Sequence, residues 1–193
     1  MSTIAVYGKE VGTINESTTC KPLTNYGKSK LKAENELLKL EDDNFKVSII
    51  RPPIVNGHNA PGNMKSLINL VKKVSILPFG NINNRRSMVY VGNLCYLIDT
   101  IIKKEKSGIF LACDNESLST TALVELIAKK LDRKVCLIKI PFFEMLLKII
   151  KPSFQKRLYE SLEVDNTKTK EILDLRNPYS MEEGVGLMLN DEF

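Results

Sequence analysis

The sequence lacks tryptophan, has a single histidine, and contains no apolar run near the roughly 20 residues that span a bilayer. Tyrosine and phenylalanine make up only 7% of the chain, too few for a platform on which nucleic-acid bases stack. The basic residues are spread along the chain and do not form the stripe that nucleic acid requires. We therefore expect neither a membrane-spanning segment nor a nucleic-acid partner.

Cysteine is also scarce. The four cysteines, Cys20, Cys95, Cys113 and Cys136, form no Cys-x-x-Cys pair and have no histidine cluster beside them. A structural zinc site thus lacks its usual ligands, and we expect no metal. Unpaired thiols are typical of a reducing compartment, and the first residues lack the charged and apolar regions of a signal peptide. These features predict an intracellular, cytoplasmic protein.

The composition is that of an ordinary globular protein, with 193 residues, 43% hydrophobic content, 26% charged content and a net charge of +5. This length suffices for one well-packed domain and part of another. Segments with strand character alternate with segments of helical periodicity along most of the chain. The expected fold class is therefore α/β.

The first third of the chain predicts strand, helix and strand in that order. The apolar run at residues 4–7 indicates a buried strand, and the polar residues 9–24 indicate a loop. Thr24 or Asn25 can cap a helix over residues 26–41, and the β-branched residues 46–50 form the next strand. This order favours a right-handed parallel crossover. One face of the predicted helix carries Tyr26, Lys30, Ala33, Leu37 and Leu40.

The remaining elements follow the same alternation. A kinked extended piece is expected at residues 76–80. Strands are predicted over residues 88–91, 109–113 and 135–140. Helices are predicted over residues 64–73, 94–103, 119–131, 142–150, 167–173 and 181–189.

The predicted helix over residues 142–150 has two interpretations. It is strongly apolar and is flanked by lysines, a pattern found in helices that lie on a membrane surface. Its short length and the flanking Pro141 and Pro152 suit a packed helix of the domain better. We expect packing, with surface attachment as the alternative.

The strongest chemical signal is the segment YGKSK at residues 26–30. Tyr26 and Lys30 are four residues apart, so they lie one above the other on a helix. An ammonium group there favours the phenolate form, which can accept a proton near neutral pH. Tyrosine and lysine at this spacing also occur by chance, as a half-buried helix start with a solvated lysine. The surrounding motifs therefore decide the interpretation.

A series of motifs with a fixed order surrounds this segment. They are TIAVYG at 3–8, YGKSK at 26–30, RPPIVNG at 51–57, PGNM at 61–64, LPFG at 77–80, RRSMVYVGNL at 85–94, VDNTK at 164–168 and YSMEEG at 179–184. Together they resemble the extended short-chain dehydrogenase/reductase family over essentially the whole chain. Within that family they are most similar to the nucleotide-sugar epimerases, dehydratases and 4-keto-sugar reductases.

The resemblance implies roles for individual residues. Thr3 would hydrogen-bond the reacting oxygen of the sugar, Tyr26 would be the acid/base, and Lys30 would favour its phenolate and bind the nicotinamide ribose. Pro52 and Pro53 would line the nicotinamide of NAD, with NADP left open. Asn63, Arg86 and Arg157 would bind the uridine diphosphate of a UDP-sugar.

The same resemblance implies a Rossmann-like parallel sheet with a small α/β substrate domain. Residues 1–57 would be the second half of the dinucleotide-binding domain, and residues 58–193 mostly the substrate domain, with residues 81–104 returning to the sheet. The glycine-rich turn that holds the pyrophosphate in this family occurs nowhere in the sequence. We therefore expect a part of such an enzyme, inactive alone and weak in NAD binding.

Three activities remain open at this point. The first is C4 epimerisation of a UDP-hexose, and the second is reduction of a UDP-4-keto sugar. The third is a non-catalytic remnant that only binds a partner, and a homodimer is possible in each case. Three departures from the epimerase pattern lean towards the reductase: Ile54, Met88 and Asn93.

Overall fold

The computed structural model describes residues 1–58 and 62–190. Pro61, the first residue of the PGNM motif, lies outside the described residues. No helix within the described residues is both long and apolar enough to cross a membrane. The strands described are β1 (Gly12–Ile14), β2 (Ser48–Arg51), β3 (Ile54–Asn56), β4 (Ile76–Leu77), β5 (Met88–Tyr90), β6 (Gly108–Leu111), β7 (Cys136–Leu137) and β8 (Leu162–Val164).

The helices follow the sequence prediction closely, and each predicted helix is present within a few residues of its expected bounds. The structure contains one further helix, after Lys151, that the sequence pattern did not predict. The helices described are α1 (Asn25–Leu38), α2 (Asn63–Lys73), α3 (Val91–Lys103), α4 (Thr120–Lys130), α5 (Phe143–Ile150), α6 (Pro152–Tyr159), α7 (Thr167–Leu173) and α8 (Met181–Leu189).

All four strand pairs of the described residues are parallel, which confirms the α/β class. β2 pairs with β6, β3 with β5, β4 with β7, and β1 with β8. The first residues extend this arrangement, because the amide of Ser2 donates to Ile50 O (2.8 Å) and the amide of Ile4 donates to Pro52 O (3.0 Å). Residues 2–4, which precede α1, therefore lie beside β2, which follows α1. The two segments run in the same direction.

Residues 4–7 form a 3-10 helix, so the prediction of a strand there is wrong. The side chain of Thr3 caps this helix by accepting a hydrogen bond from Ala5 N (3.2 Å). Gly8 ends it with φ of 65°, where an added Cβ would lie 1.8 Å from Lys21 O. Val6 and Tyr7 are buried all the same. The 3-10 helix thus buries the apolar run as effectively as a strand would. Periodicity over only four residues does not distinguish a 3-10 helix from a strand.

Helix α1 begins as predicted but packs on a different face. The Thr24 hydroxyl accepts a hydrogen bond from Gly27 N (3.1 Å), and the helix ends at Leu38, three residues before the expected end. Its buried residues are Gly27 and Glu34, whereas Tyr26 is exposed. A buried glycine and a buried glutamate carry no apolar signal, which is why the apolar spacing indicated the other face.

The polar segment predicted as a loop contains one strand. β1 pairs with β8 over three residues, with Gly12 opposite Leu162 and Ile14 opposite Val164. Ile14 is fully buried in this pair. Two strands of three residues are too short to show an alternation, so neither was predicted from the sequence.

The described residues form three apolar clusters. The first packs α2, α4 and α8 around β4 and β5, the second packs α3 and α7 against β2 and β6, and the third joins the 3-10 helix to β1 and β8. Helix α5 belongs to none of them, and none of its eight residues is buried. The segment nevertheless packs against α6 as a helix of the domain, with Phe143 and Leu147 half-buried, while most of its apolar side chains stay exposed. The predicted division of the chain at residue 57 stays a prediction.

Candidate active site

Tyr26 and Lys30 form the pair that their spacing predicts. The ammonium nitrogen of Lys30 lies 5.9 Å from the centroid of the Tyr26 ring. The same nitrogen is 3.5 Å from the carbonyl oxygen of Met1. The Tyr26 side chain is 56% exposed, so a bound molecule can reach it. Both groups therefore stand at an accessible surface next to the first residues of the chain.

The contact between α1 and the 3-10 helix brings this pair close to Thr3. A Cβ added to Gly27 would lie 2.6 Å from the carbonyl oxygen of Ala5 and 3.1 Å from Pro22 Cβ. Only a glycine allows the two helices to approach so closely. Thr3 lies one residue before the 3-10 helix, and its oxygen accepts a hydrogen bond there, which leaves the hydroxyl hydrogen to donate.

Pro52 and Pro53 complete this end of the sheet. They directly follow β2, and the carbonyl of Pro52 accepts the amide hydrogen of Ile4 at 3.0 Å. Pro52 is buried and Pro53 is half-buried. In open parallel sheets, ligands bind at the carboxyl ends of strands. The structure thus gathers the predicted catalytic and cofactor residues at one such end.

A buried ion pair that the sequence analysis missed holds α1 in this position. The Nε of Arg51 donates to Glu34 Oε1 (3.0 Å), its Nη2 donates to Glu34 Oε2, and its Nη1 donates to the Tyr7 hydroxyl (2.9 Å). Arg51 and Glu34 are both nearly inaccessible. Burial opposes the charge of Arg51, but the hydrogen bonds to Glu34 and Tyr7 outweigh it and raise the pKa of the guanidinium. For Tyr7, burial raises the pKa of the hydroxyl, and the hydrogen bond from Arg51 only partly offsets this.

The three residues predicted to bind the substrate line one cavity. Asn63 lies at the start of α2, Arg86 lies just before β5, and Arg157 lies on α6, around a cavity of about 230 Å³. Most of the remaining lining is apolar, and it includes Phe154. Three residues that are 23 to 94 positions apart in the chain therefore meet at one cavity. Their binding of a substrate stays a prediction.

Arg86 and Arg157 create a positive end in this otherwise apolar cavity. Burial lowers the pKa of the Arg86 guanidinium, and the charge of Arg157 lowers it further. Arg86 Nη1 donates to the carbonyl of Glu160 (3.2 Å), and within residues 1–58 and 62–190 neither arginine forms a salt bridge. Two neighbouring guanidinium groups without a carboxylate favour a bound anion such as a diphosphate.

The departures from the epimerase pattern have visible surroundings. Ile54 and Met88 both line the cavity, where they add to its apolar surface. Asn93 is buried, donates to Asp114 Oδ1 (2.7 Å) and Tyr179 O (3.0 Å), and accepts the amide hydrogen of Tyr179 (3.0 Å). An amide suits this position because it donates to the carboxylate of Asp114, which an aspartate could not do when charged.

The residues present fit one end of a dinucleotide. The resemblance assigns the nicotinamide and its ribose to the region of Tyr26, Lys30 and the Pro52–Pro53 backbone. No glycine-rich turn for the pyrophosphate occurs in the sequence. Within the described part of the chain, no group of three or more histidine, cysteine, aspartate or glutamate side chains could hold a metal ion.

Known proteins share this sequence and this fold. A sequence profile described as the NAD dependent epimerase/dehydratase family matches residues 1–113. The chain is 38% identical over 170 residues to a UDP-glucose 4-epimerase of Vibrio cholerae, covering 84% of this chain and 52% of that protein. It is 26% identical over 212 residues to the N-acetyl-alpha-D-glucosaminyl-diphospho-ditrans,octacis-undecaprenol 4-epimerase of Escherichia coli O157:H7, covering 100% of this chain and 64% of that protein. The chain thus spans between about half and two thirds of the length of these relatives.

Among solved structures, the UDP-N-acetylglucosamine 4-epimerase of Bacillus cereus superposes with a TM-score of 0.74 at 21% identity. The match covers 98% of this chain and 64% of that one, and it confirms the Rossmann-like fold expected from the sequence. The order of motifs, the site at the carboxyl end of β2 and the matching profile agree. The chain belongs to the NAD dependent epimerase/dehydratase family of enzymes.

Proposed function

We propose that this protein carries the catalytic and sugar-binding residues of an NAD-dependent C4 epimerase acting on a UDP-hexose. The observation that supports the proposal is the accessible pair of Tyr26 and Lys30 on α1, whose Gly27 closely approaches the 3-10 helix that Thr3 caps. The paired arginines of the neighbouring cavity support a substrate with a diphosphate. The Vibrio cholerae relative, which is named for this activity on UDP-glucose, supports the choice of sugar nucleotide.

The proposed chemistry assigns each group one task. The hydroxyl of Thr3 donates a hydrogen bond to the O4 oxygen of the sugar and orients it. The phenolate of Tyr26 takes the O4 proton as C4 becomes a carbonyl, and returns it when the sugar is restored. The ammonium of Lys30, 5.9 Å from the centroid of the Tyr26 ring, places a positive charge beside this acid/base. A bound NAD would supply the hydride acceptor and donor for C4, and Lys30 and the Pro52–Pro53 backbone would hold its nicotinamide end.

Reduction of a UDP-4-keto sugar is the second candidate, because Ile54 and Met88 make the cavity more apolar than the epimerase pattern implies. Thr3, Tyr26 and Lys30 would serve it in the same positions, so these residues do not separate the two. Both activities are assayed in the chimera described in the next paragraph, because the chain alone is expected to be inactive. Turnover of UDP-galactose supports the epimerase, and NAD(P)H consumption with a UDP-4-keto sugar alone supports the reductase. A chimera that turns over neither would favour a non-catalytic partner-binding protein.

The catalytic assignment is tested in a chimera that adds the part of the Vibrio cholerae relative that this chain does not match. Tyr26→Phe keeps the ring but removes the proton acceptor, so we expect conversion of UDP-galactose to collapse while UDP binding survives. Tyr96→Phe, at another exposed tyrosine on α3, is the matched control and should keep full activity. If Tyr26→Phe retained more than about a tenth of the turnover, a barrier change below ~1.4 kcal/mol, the assignment would be wrong.

The diphosphate site is tested by titrating UDP into the chain in a calorimeter. Arg86→Ala and Arg157→Ala should each weaken binding about tenfold to a hundredfold, since each removes a charge-assisted hydrogen bond worth about 1.5–3 kcal/mol. Arg85→Ala is the matched control, because Arg85 pairs with Glu163 at 2.8 Å on the exposed surface. Equal losses in all three variants would point to a general charge effect and against this site.

We also propose that the protein works in the cytoplasm. All four cysteines are free, and Cys95 and Cys136 are exposed, which suits a reducing compartment. The homodimer stays a prediction.

A further inference from the structure

Helix α5 and the start of α6 carry an exposed apolar surface. We call it the α5–α6 apolar surface. Phe142 and Ile149 are each 77% exposed, and none of the eight residues of α5 is buried. An apolar patch of this kind on a globular protein usually marks a site of contact with another apolar body. The surface consists of Phe142, Met145, Leu146, Ile149, Ile150 and Phe154.

The orientation of α5 is fixed by contacts on its other side. Glu144, the one acidic residue of this helix, accepts a hydrogen bond from Gln155 Nε2 of α6 (3.1 Å), and Gln155 is buried. Phe143 and Leu147 are half-buried. The polar and partly buried groups of α5 thus anchor the helix to the protein, which leaves its large apolar side chains directed outwards.

The charges around this surface are predominantly positive. Residues 133–157 contain seven lysines and arginines and a single acidic residue, Glu144, although the basic residues of the whole chain had looked evenly spread. Lys139, Lys148 and Lys151 are exposed, and within the described residues they form no salt bridge. Lys156 is paired with Glu10 at 2.6 Å. The apolar surface is therefore bordered by free positive charge, with its one carboxylate held by Gln155.

We propose that the α5–α6 apolar surface docks on a bilayer that contains anionic lipids. An amphipathic helix with lysines beside its apolar side chains lies in the interface with the apolar groups among the acyl chains and the ammonium groups at the lipid phosphates. An apolar protein partner would be served by the same side chains but not by the unpaired lysines around them. The proposal rests on exposure and charge, and it does not depend on the proposed epimerase activity.

Docking would also orient the substrate cavity. Phe154 belongs to the α5–α6 apolar surface and at the same time lines the cavity that holds Arg86 and Arg157. Arg157 is itself exposed, three residues further along α6. A bilayer in contact with Phe154 therefore lies next to the cavity, with Arg157 near the lipid headgroups.

The test is flotation of the purified chain with vesicles. The protein should float with vesicles made of equal parts of phosphatidylcholine and phosphatidylglycerol, and much less with phosphatidylcholine alone or in high salt. Ile149→Glu should lower the bound fraction at least about tenfold, because it places a charge in the apolar contact. Ile102→Glu is the matched control, since Ile102 on α3 is 68% exposed and lies away from this surface. It should float like the parent protein.

A second pair of variants tests the charges. Lys148→Gln and Lys151→Gln should each weaken binding about fivefold, whereas Lys28→Gln and Lys32→Gln on α1 should leave it unchanged. Unfolding midpoints equal to that of the parent protein establish that the variants fold, as expected for exposed positions. Equal binding of Ile149→Glu and the parent, or no preference for the anionic vesicles, would overturn the proposal. The proposal would also be overturned if the parent did not float but formed a dimer that Ile149→Glu dissociates. The surface would then bind a second copy of this chain.

Discussion

At the residue scale, the site depends on an arginine and a glutamate that no bound molecule would touch. Arg51 is the last residue of β2, Glu34 lies on α1, and Tyr7 lies in the 3-10 helix, so their hydrogen bonds join three elements. A buried ion pair adds little net stability relative to apolar residues, but it fixes one geometry, because each charge needs its partner. The pair therefore positions Lys30 and Tyr26, which lie about one and two turns earlier on α1.

Glu34→Ala should destabilise the protein by about 3–5 kcal/mol, because it leaves the charge of Arg51 buried without a partner. Glu36→Ala, two residues away on the same helix, removes an exposed pair with Lys39 and should change stability by about 0.5 kcal/mol or less. Urea unfolding of both variants measures the difference. Losses of similar size would show that the buried pair does not hold α1.

The reactivity of each cysteine thiol should depend on how deeply it is buried. Burial raises the pKa of the Cys113 thiol to about 12, and its sulfur donates to Val164 O at 3.3 Å. The thiolate is the reactive form, so Cys113 should resist a thiol reagent at pH 8 in the folded protein. Cys95 and Cys136 are exposed and should react rapidly. Counting modified thiols before and after adding urea checks this, and rapid reaction of Cys113 without urea would contradict it.

At the element scale, the contact between α1 and the 3-10 helix decides where the predicted catalytic residues lie. Neither element is held there by its exposed side chains. Gly27 gives α1 its close approach to the carbonyl of Ala5, and Gly8 turns the chain out of the 3-10 helix at a positive φ. Two glycines therefore set the distance between Thr3 and the first turn of α1.

Gly27→Ala should lower the free energy of unfolding by about 1–3 kcal/mol, because its Cβ would lie 2.6 Å from a backbone oxygen that cannot move freely. Gly186→Ala on α8 is the matched control, since its Cβ would meet only the Lys130 side chain at 3.7 Å. Alanine in a helix is better by roughly 0.5–1 kcal/mol, so this variant should be neutral or stabilised. Denaturant titration compares the two, and a stabilised Gly27→Ala would disprove the close contact.

At the scale of the whole molecule, the site predicted for the nucleotide sugar is more complete than the site predicted for NAD. The cavity of Arg86 and Arg157 offers a diphosphate two guanidinium groups. For NAD, the chain offers the region of Tyr26, Lys30 and Pro52 without a glycine-rich turn for the pyrophosphate. Affinity for a nucleotide sugar and affinity for the cofactor should therefore be separable.

The 193-residue chain should bind UDP measurably and NAD weakly or not at all. The expected difference follows from the pyrophosphate, which in this fold is held by backbone amides of a glycine-rich turn at a helix start. Calorimetry with each ligand on the same preparation provides the comparison, and UDP binding serves as the control for folded protein. Micromolar affinity for NAD would contradict the prediction.

Much of this fold could be predicted from the pattern of residues. The helices α2, α3, α4, α7 and α8 and the strand β6 appear where periodicity and capping residues placed them. The elements that were predicted wrongly or missed are short, or they bury residues that are usually exposed. The 3-10 helix at Ile4–Tyr7 has the composition of a strand, and β1 and β8 have three residues each. Periodicity needs at least two turns or several alternations before it distinguishes one structure from another.

The sequence by itself determined the α/β class, the family resemblance and the identity of the residues predicted to act, because these depend on local spacing and on the order of motifs. Only the tertiary structure brought Asn63, Arg86 and Arg157 to one cavity and buried Glu34 with Arg51. It also left most apolar side chains of α5 exposed, although the short length of the helix and its flanking prolines indicated a packed helix. Burial and long-range pairing are properties of the surroundings that the folded chain creates, and no window of neighbouring residues contains them.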